Sequence, residues 1–178
     1  MLANAYDKAG RTAEAESTFS QAVRLRPDSW AACKDLGVFY NRRGRLQEAL
    51  PWFQRVVALT PDNYASYSNL GGLYLRLGRH GEAAAALQKS LALRPTAAAY
   101  VNLGNVRYFE GRFGEASESY RKATELTPSD ERAWGALADA LRSLPGTYDE
   151  MAGAYAQAIA LAERQVAIHP RDAELHSR

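Results

Sequence analysis

The chain has 178 residues, 24% of them charged and 47% hydrophobic, values that exclude a disordered chain and allow a sizeable core. Its 22 Lys and Arg against 20 Asp and Glu leave a formal charge of +2, too small a basic excess for a nucleic-acid or membrane footprint. Cys33 is the only cysteine, no apolar run is long enough to span a bilayer, and residues 1–8 lack the apolar stretch of a secretion signal. The expectation is a protein of a reducing, cytoplasmic setting without a disulfide framework.

The prolines set the frame along the chain. Pro27, Pro61, Pro95, Pro128 and Pro170 stand 34, 34, 33 and 42 residues apart, a period that marks a repeat architecture. The first period holds Leu2-Ala3, Gly10-Arg11, Ala15 and Phe19 before its proline. The second repeats this as Leu36-Gly37, Gly44-Arg45, Ala49 and Phe53; the third as Leu70-Gly71, Gly78-Arg79, Ala83 and Leu87. The fourth gives Leu103-Gly104, Gly111-Arg112, Ala116 and Tyr120, and Leu137-Ala138 opens the fifth.

Each period reads as two helices. Apolar residues recur three and four apart on both sides of the Gly-Arg pair, as in Leu36, Phe39 and Tyr40 and then Ala49, Leu50, Phe53, Val56 and Val57. The glycine between them suits a left-handed helix end, and the proline behind the second run ends that helix. Asp28, Asp62, Thr96 and Ser129 stand where they can cap the next helix. Gly71 and Ala83 are small because two helices approach closely there. Pro51 lies inside a second helix, and the adjacent Trp52 is expected to lean outward, where it could serve as an outer contact.

The fifth period departs from this pattern. Its turn, Leu144-Pro145-Gly146-Thr147, is one residue longer, and Thr147 with Glu150 fits a capping box. Pro170 follows Leu161 by nine residues instead of two, so seven have been added, close to two turns and about 10 Å of helix. Val166 and Ile168 on that extension call for cover. Met151 stands at a position that is small elsewhere.

Trp134 and Leu137, Gly37 and Tyr40, Ala49 and Phe53, and Pro61 occupy the spacing of the tetratricopeptide repeat, which the whole chain resembles five times over. The resemblance implies an all-α fold, a right-handed superhelical solenoid of stacked antiparallel helix pairs with a concave groove lined by the first helix of each pair. The repeats run approximately over 1–29 (truncated), 30–63, 64–96, 97–130 and 131–172, and 173–178 begins another. In this register Met1 falls at about the sixth position of its repeat, so the expectation is a piece of a longer protein. The last repeat, with Trp134-Gly135, Pro145-Gly146 and its long helix, resembles tails of bacterial signalling proteins that follow a serine/threonine kinase, winged-helix or cyclase module.

Carried over residue by residue, the family's groove positions give Lys34, Asp35, Asn41, Arg42, Asn69, Arg76, Asn102, Asn105, Tyr108, Asp139 and Arg142 as candidate peptide-binding residues. Asn69 and Asn102 are equivalent one repeat apart, and an asparagine can donate to and accept from a peptide backbone. Lys8, Arg42 and Arg76 form an in-phase row able to attract an acidic partner. A chaperone-tail clamp is not expected: Lys34 and Asn69 match its pattern, but Val38, Ala98 and Asn102 stand where its other Asn, Lys and Arg belong. Self-association through uncovered solenoid ends is a further expectation.

Chemistry is sparse. His80, His169 and His176 are far apart and not paired with cysteine at ligand spacing, and His80 is placed in a turn. Cys33 faces inward as a small apolar residue. Gly71-Gly72 and Gly78 lack the strand and Gly-Lys-Ser/Thr ending of a phosphate loop. No catalytic, metal or cofactor residue is assigned. The reading is a non-enzymatic scaffold for a protein or peptide partner; the alternative is an accessory region that positions the output domain of a bacterial kinase or transcription regulator.

Overall fold

A computed structural model describes residues 2–168. Met1, His169, Pro170, His176 and the start of a further repeat at 173–178 lie outside the described residues, as does the side chain of Ile168. The described residues form ten helices: α1 Leu2–Lys8, α2 Thr12–Leu25, α3 Trp30–Arg42, α4 Leu46–Leu59, α5 Tyr64–Arg76, α6 His80–Leu93, α7 Ala97–Phe109, α8 Phe113–Leu126, α9 Glu131–Arg142 and α10 Tyr148–Ile168. They divide into two compact units, Met1–Arg94 and Pro95–Arg178. The first holds three consecutive helix pairs and the second two, each pair joined by a tight turn.

The turn is the same device in the first four pairs. Gly44 (φ 73°) ends α3, the Arg45 amide donates to the Tyr40 carbonyl and the Gly44 amide to the Asn41 carbonyl, the paired bonds of a Schellman motif. The arginine then works twice. Its guanidinium sits over the ring of the tyrosine one turn back, at 4.6 Å for Arg45 on Tyr40, 4.5 Å for Arg11 on Tyr6 and 4.9 Å for Arg79 on Tyr74. It also binds the glutamate three residues on: Arg11 with Glu14, Arg45 with Glu48, Arg79 with Glu82 and Arg112 with Glu115. A carboxylate in the first turn of a helix is favoured by the helix dipole, so each clip closes the turn and supports the start of the second helix.

In the third and fourth pairs, a large side chain of the second helix rests on a side-chain-free spot of the first. A Cβ on Gly104 would lie 2.5 Å from the Tyr120 ring, and one on Gly71 2.6 Å from Leu87. Leu87 and Tyr120 are buried, as are Phe19 and Phe53 at the same place in their repeats. The core of the second unit gathers Ala116, Tyr120, Leu137, Ala138, Ala140, Leu141 and Ala154. Met151 is half-buried against this cluster, where Ala15, Ala49, Ala83 and Ala116 are fully buried in their repeats.

Four expectations need correction. The helix caps are Ser29, Asn63 and Asp130, one residue after Asp28, Asp62 and Ser129, because proline and its successor both belong to the turn. Thr96 caps as expected, since the link before α7 is one residue shorter. Thr147 and Glu150 form no capping box: the Thr147 hydroxyl turns back to the carbonyls of Leu141 and Leu144, and Glu150 is taken by Arg121 at 2.7 Å. His80 is the first residue of α6 and half-buried rather than a turn residue. Trp52 is half-buried with its Cβ 3.2 Å from where a Gly37 Cβ would be, so it packs on α3 instead of leaning away. Pro51 sits inside α4 on an exposed position. The extension of α10 is tied to α9 by Gln165 donating to Glu131 at 2.8 Å, while Ile159 and Val166 remain exposed.

Two outcomes follow from this packing. Gly104→Ala should lower stability by about 1–3 kcal/mol, whereas Gly114→Ala, with open space around it, should raise it by up to about 1 kcal/mol; urea midpoints measure both. Arg45 holds Glu16 and Glu48 below the usual carboxylate range. A lowered folded pKa stabilises above the unfolded value and is lost as pH falls through the folded one. Arg45→Gln should therefore melt below the parent at about pH 7, with the gap closing below about pH 3, as read by circular dichroism.

Candidate functional site

In the first unit, α1 and α3 stand side by side over α2 and enclose a cleft of about 330 Å³. Its floor is Phe19, Val38 and Phe39, and its rim is Asn4, Asp7, Lys34, Asp35 and Arg42. Asp7 is fixed by Arg43 at 2.6 Å, and Lys34 lies 3.9 Å from Asp35. Lys34 also rests over the Trp30 ring at 5.4 Å. The rim thus offers ammonium, guanidinium and amide donors beside carboxylate acceptors, above apolar rings that are themselves covered.

The second unit repeats the arrangement with different chemistry. A cleft of about 220 Å³ is lined by Asn105, Tyr108 and Phe109 of α7, Ala136 and Asp139 of α9, and Tyr120 of α8. The Tyr120 hydroxyl donates to Asn105 Oδ1 at 2.7 Å, and the Tyr155 hydroxyl to Asp139 Oδ1 at 2.7 Å. Burial pushes the Tyr120 hydroxyl up, with Tyr108 and Asp139 adding to it; the Asp139 hydrogen bond raises that of Tyr155. Both phenols therefore stay protonated donors. This orientation leaves the Asn105 amide nitrogen to donate and the second Asp139 oxygen to accept. Phe109, 66% exposed, packs edge-on to Tyr108 with ring centroids 6.3 Å apart.

The structure thus brings Lys34, Asp35 and Arg42 together in one cleft and Asn105, Tyr108 and Asp139 in another. Asn41 is engaged by Arg76, whose guanidinium donates to the Asn41 backbone and side-chain oxygens. Asn69 is exposed on α5 in the first unit, and Asn102 is half-buried on α7 in the second. Arg142 lies 3.6 Å from Asp139. Asn4, Asp7 and Phe19 are cleft residues that the groove positions taken from the sequence leave out. The signal is present there all the same: Asn4 and Asp7 stand 34 residues before Val38 and Asn41, in phase with positions already singled out.

Cys33 is fully buried, and burial pushes its thiol up, away from thiolate reactivity. Among the described residues no group of three or more His, Cys, Asp or Glu could hold a metal ion, and no helix is long and apolar enough to cross a membrane. The clefts lie at or below the lower end of small-molecule sites, roughly 300–1,000 Å³. Their size and mixed donors and acceptors suit side chains and backbone of a polypeptide.

Among solved structures, a crystal structure of MamA aligns with a TM-score of 0.84 at 23% identity, over 94% of this chain and 98% of that one. MamA from Desulfovibrio magneticus RS-1 aligns with a TM-score of 0.81 at 19% identity, over 92% and 93%. A thermophilic TPR protein in Thermus thermophilus, TTC0263, gives 0.70 at 24%, over 97% and 94%. At these identities the likeness is one of fold. No curated protein matches the sequence. Three family models, each described as Tetratricopeptide repeat, match residues 1–64, 40–104 and 97–130. Residues 1–130 are tetratricopeptide repeats, and the chain belongs to that family.

Proposed function

We propose that the chain is a non-catalytic scaffold for protein–protein contact, holding a peptide or helix of a partner against the faces of its first helices. The observation that carries this is the pair of clefts, each built from first helices and each presenting donors and acceptors together. Every residue of a peptide backbone brings one donor and one acceptor, so such a rim can hold a segment largely by its main chain. Repeat arrays commonly bind along extended surfaces of this kind. The reading takes the two units as successive parts of one repeat array and places the protein in a reducing, cytoplasmic setting, which the buried free thiol of Cys33 suits.

A second reading, an accessory region that positions a bacterial output domain, is favoured by the 21-residue α10 with Ile159 and Val166 exposed along it. The same exposed residues support self-association. Light scattering across a concentration series tests that: a mass rising with concentration is expected from it, and a strict monomer removes it.

Pull-down followed by mass spectrometry identifies the partner for the main reading. Asn69→Ala combined with Asn102→Ala should then weaken its binding roughly tenfold, the worth of one or two hydrogen bonds. The melting temperature should stay within about 2 °C. Unaltered affinity for that partner counts against the groove.

A further inference from the structure

We infer that the first-helix face of the first unit selects an acidic polypeptide segment; this rests on the scaffold reading above and adds the chemistry of the partner. The helices α1, α3 and α5 carry Lys8, Lys34, Arg42 and Arg76 against only Asp7 and Asp35. Both acids already have a cation, Asp7 from Arg43 and Asp35 from Lys34. Arg76 is held by the oxygens of Asn41, which are neutral, so its charge is not cancelled. Among the described residues, no carboxylate pairs with Lys8 or Arg42.

The unit's other carboxylates do not compensate. Glu14, Glu48 and Glu82 are bound by Arg11, Arg45 and Arg79 at the turns, Glu16 by Arg45 and Asp28 by Arg55, while Asp62 stands in the link between α4 and α5, off the first helices. One uncompensated cation per repeat remains in the last turn of each first helix, and Arg42 lines the cleft itself. A helix C-terminus favours a cation, which explains the position of these residues without satisfying their outward charge. A carboxylate-bearing segment does so.

The occupant is a polypeptide rather than a nucleic acid because Asp7 and Asp35 share the rim. A phosphodiester backbone has no N–H to donate to their oxygens, whereas a peptide backbone brings one with every residue but proline.

Fluorescence anisotropy with labelled peptides of about a dozen residues, alternating Glu and Leu or Gln and Leu, tests the inference. At about 50 mM salt the Glu peptide should bind roughly tenfold more tightly, and the advantage should shrink at about 500 mM. Lys8→Glu with Arg42→Glu, two side chains that hold no described structural bond, should abolish the preference. Lys89→Glu on α6 should keep it, and circular dichroism should show all variants folded. Equal binding of both peptides, a preference that survives the double reversal, no binding of the Glu peptide, or tighter binding of an oligothymidylate of similar length overturns the inference. Equal binding that Val38→Asp abolishes would remove the charge selection while leaving the scaffold reading in place.

Discussion

The fold depends on a contact that exists because something is missing. Where Leu87 lies on Gly71 and Tyr120 on Gly104, the first helix has no side chain, and the second helix comes in until a buried ring or isobutyl group fills the gap. An isolated pair closed this way still has one oily side, and within each unit the neighbouring pair packs against it, α3 on α2, α5 on α4 and α9 on α8. Close approach within a pair fixes where first helices stand, and that fixes which of their residues share a cleft. Tyr120 shows the link directly, since the ring that needs Gly104 to be bare also aims its hydroxyl at Asn105.

Charge follows the same division of labour. Arginines at the turns consume the glutamates that start the second helices, so those carboxylates are internally balanced. Part of this pairing is also long-range: Arg45 reaches Glu16 of the preceding pair, which the Tyr40 hydroxyl holds as well. A surface ion pair alone contributes little, but one shared by a turn, a ring and a neighbouring pair restrains several groups at once. The fifth turn lacks this arginine; Thr147 takes its place, and Glu150 is recruited by Arg121 of α8 instead.

Much of this was legible in the sequence because a period near 34 residues superimposes equivalent positions, and Gly, Pro and small residues have narrow backbone meanings. The helix pairs, the left-handed glycines and the bare Gly71 could be read that way. The caps could not be placed to the residue, since Asp28 and Ser29 are both good caps and only the length of the turn decides between them. The capping box at Thr147 failed because a tertiary partner, Arg121, outcompeted a local one for Glu150. Cleft membership was read in part: Lys34 and Arg42 follow from phase, whereas Phe19 enters from α2, a helix that the groove pattern does not address.

The one sulfhydryl of the chain is walled in at 0% exposure between the first two turns of α3 and the Pro27 carbonyl. Reagents reach it only when that helix swings away from its neighbours. Oxidant or maleimide modification therefore reports the opening of a single region, and an interchain cross-link at this sulfur is the mark of a molecule that has already come partly undone.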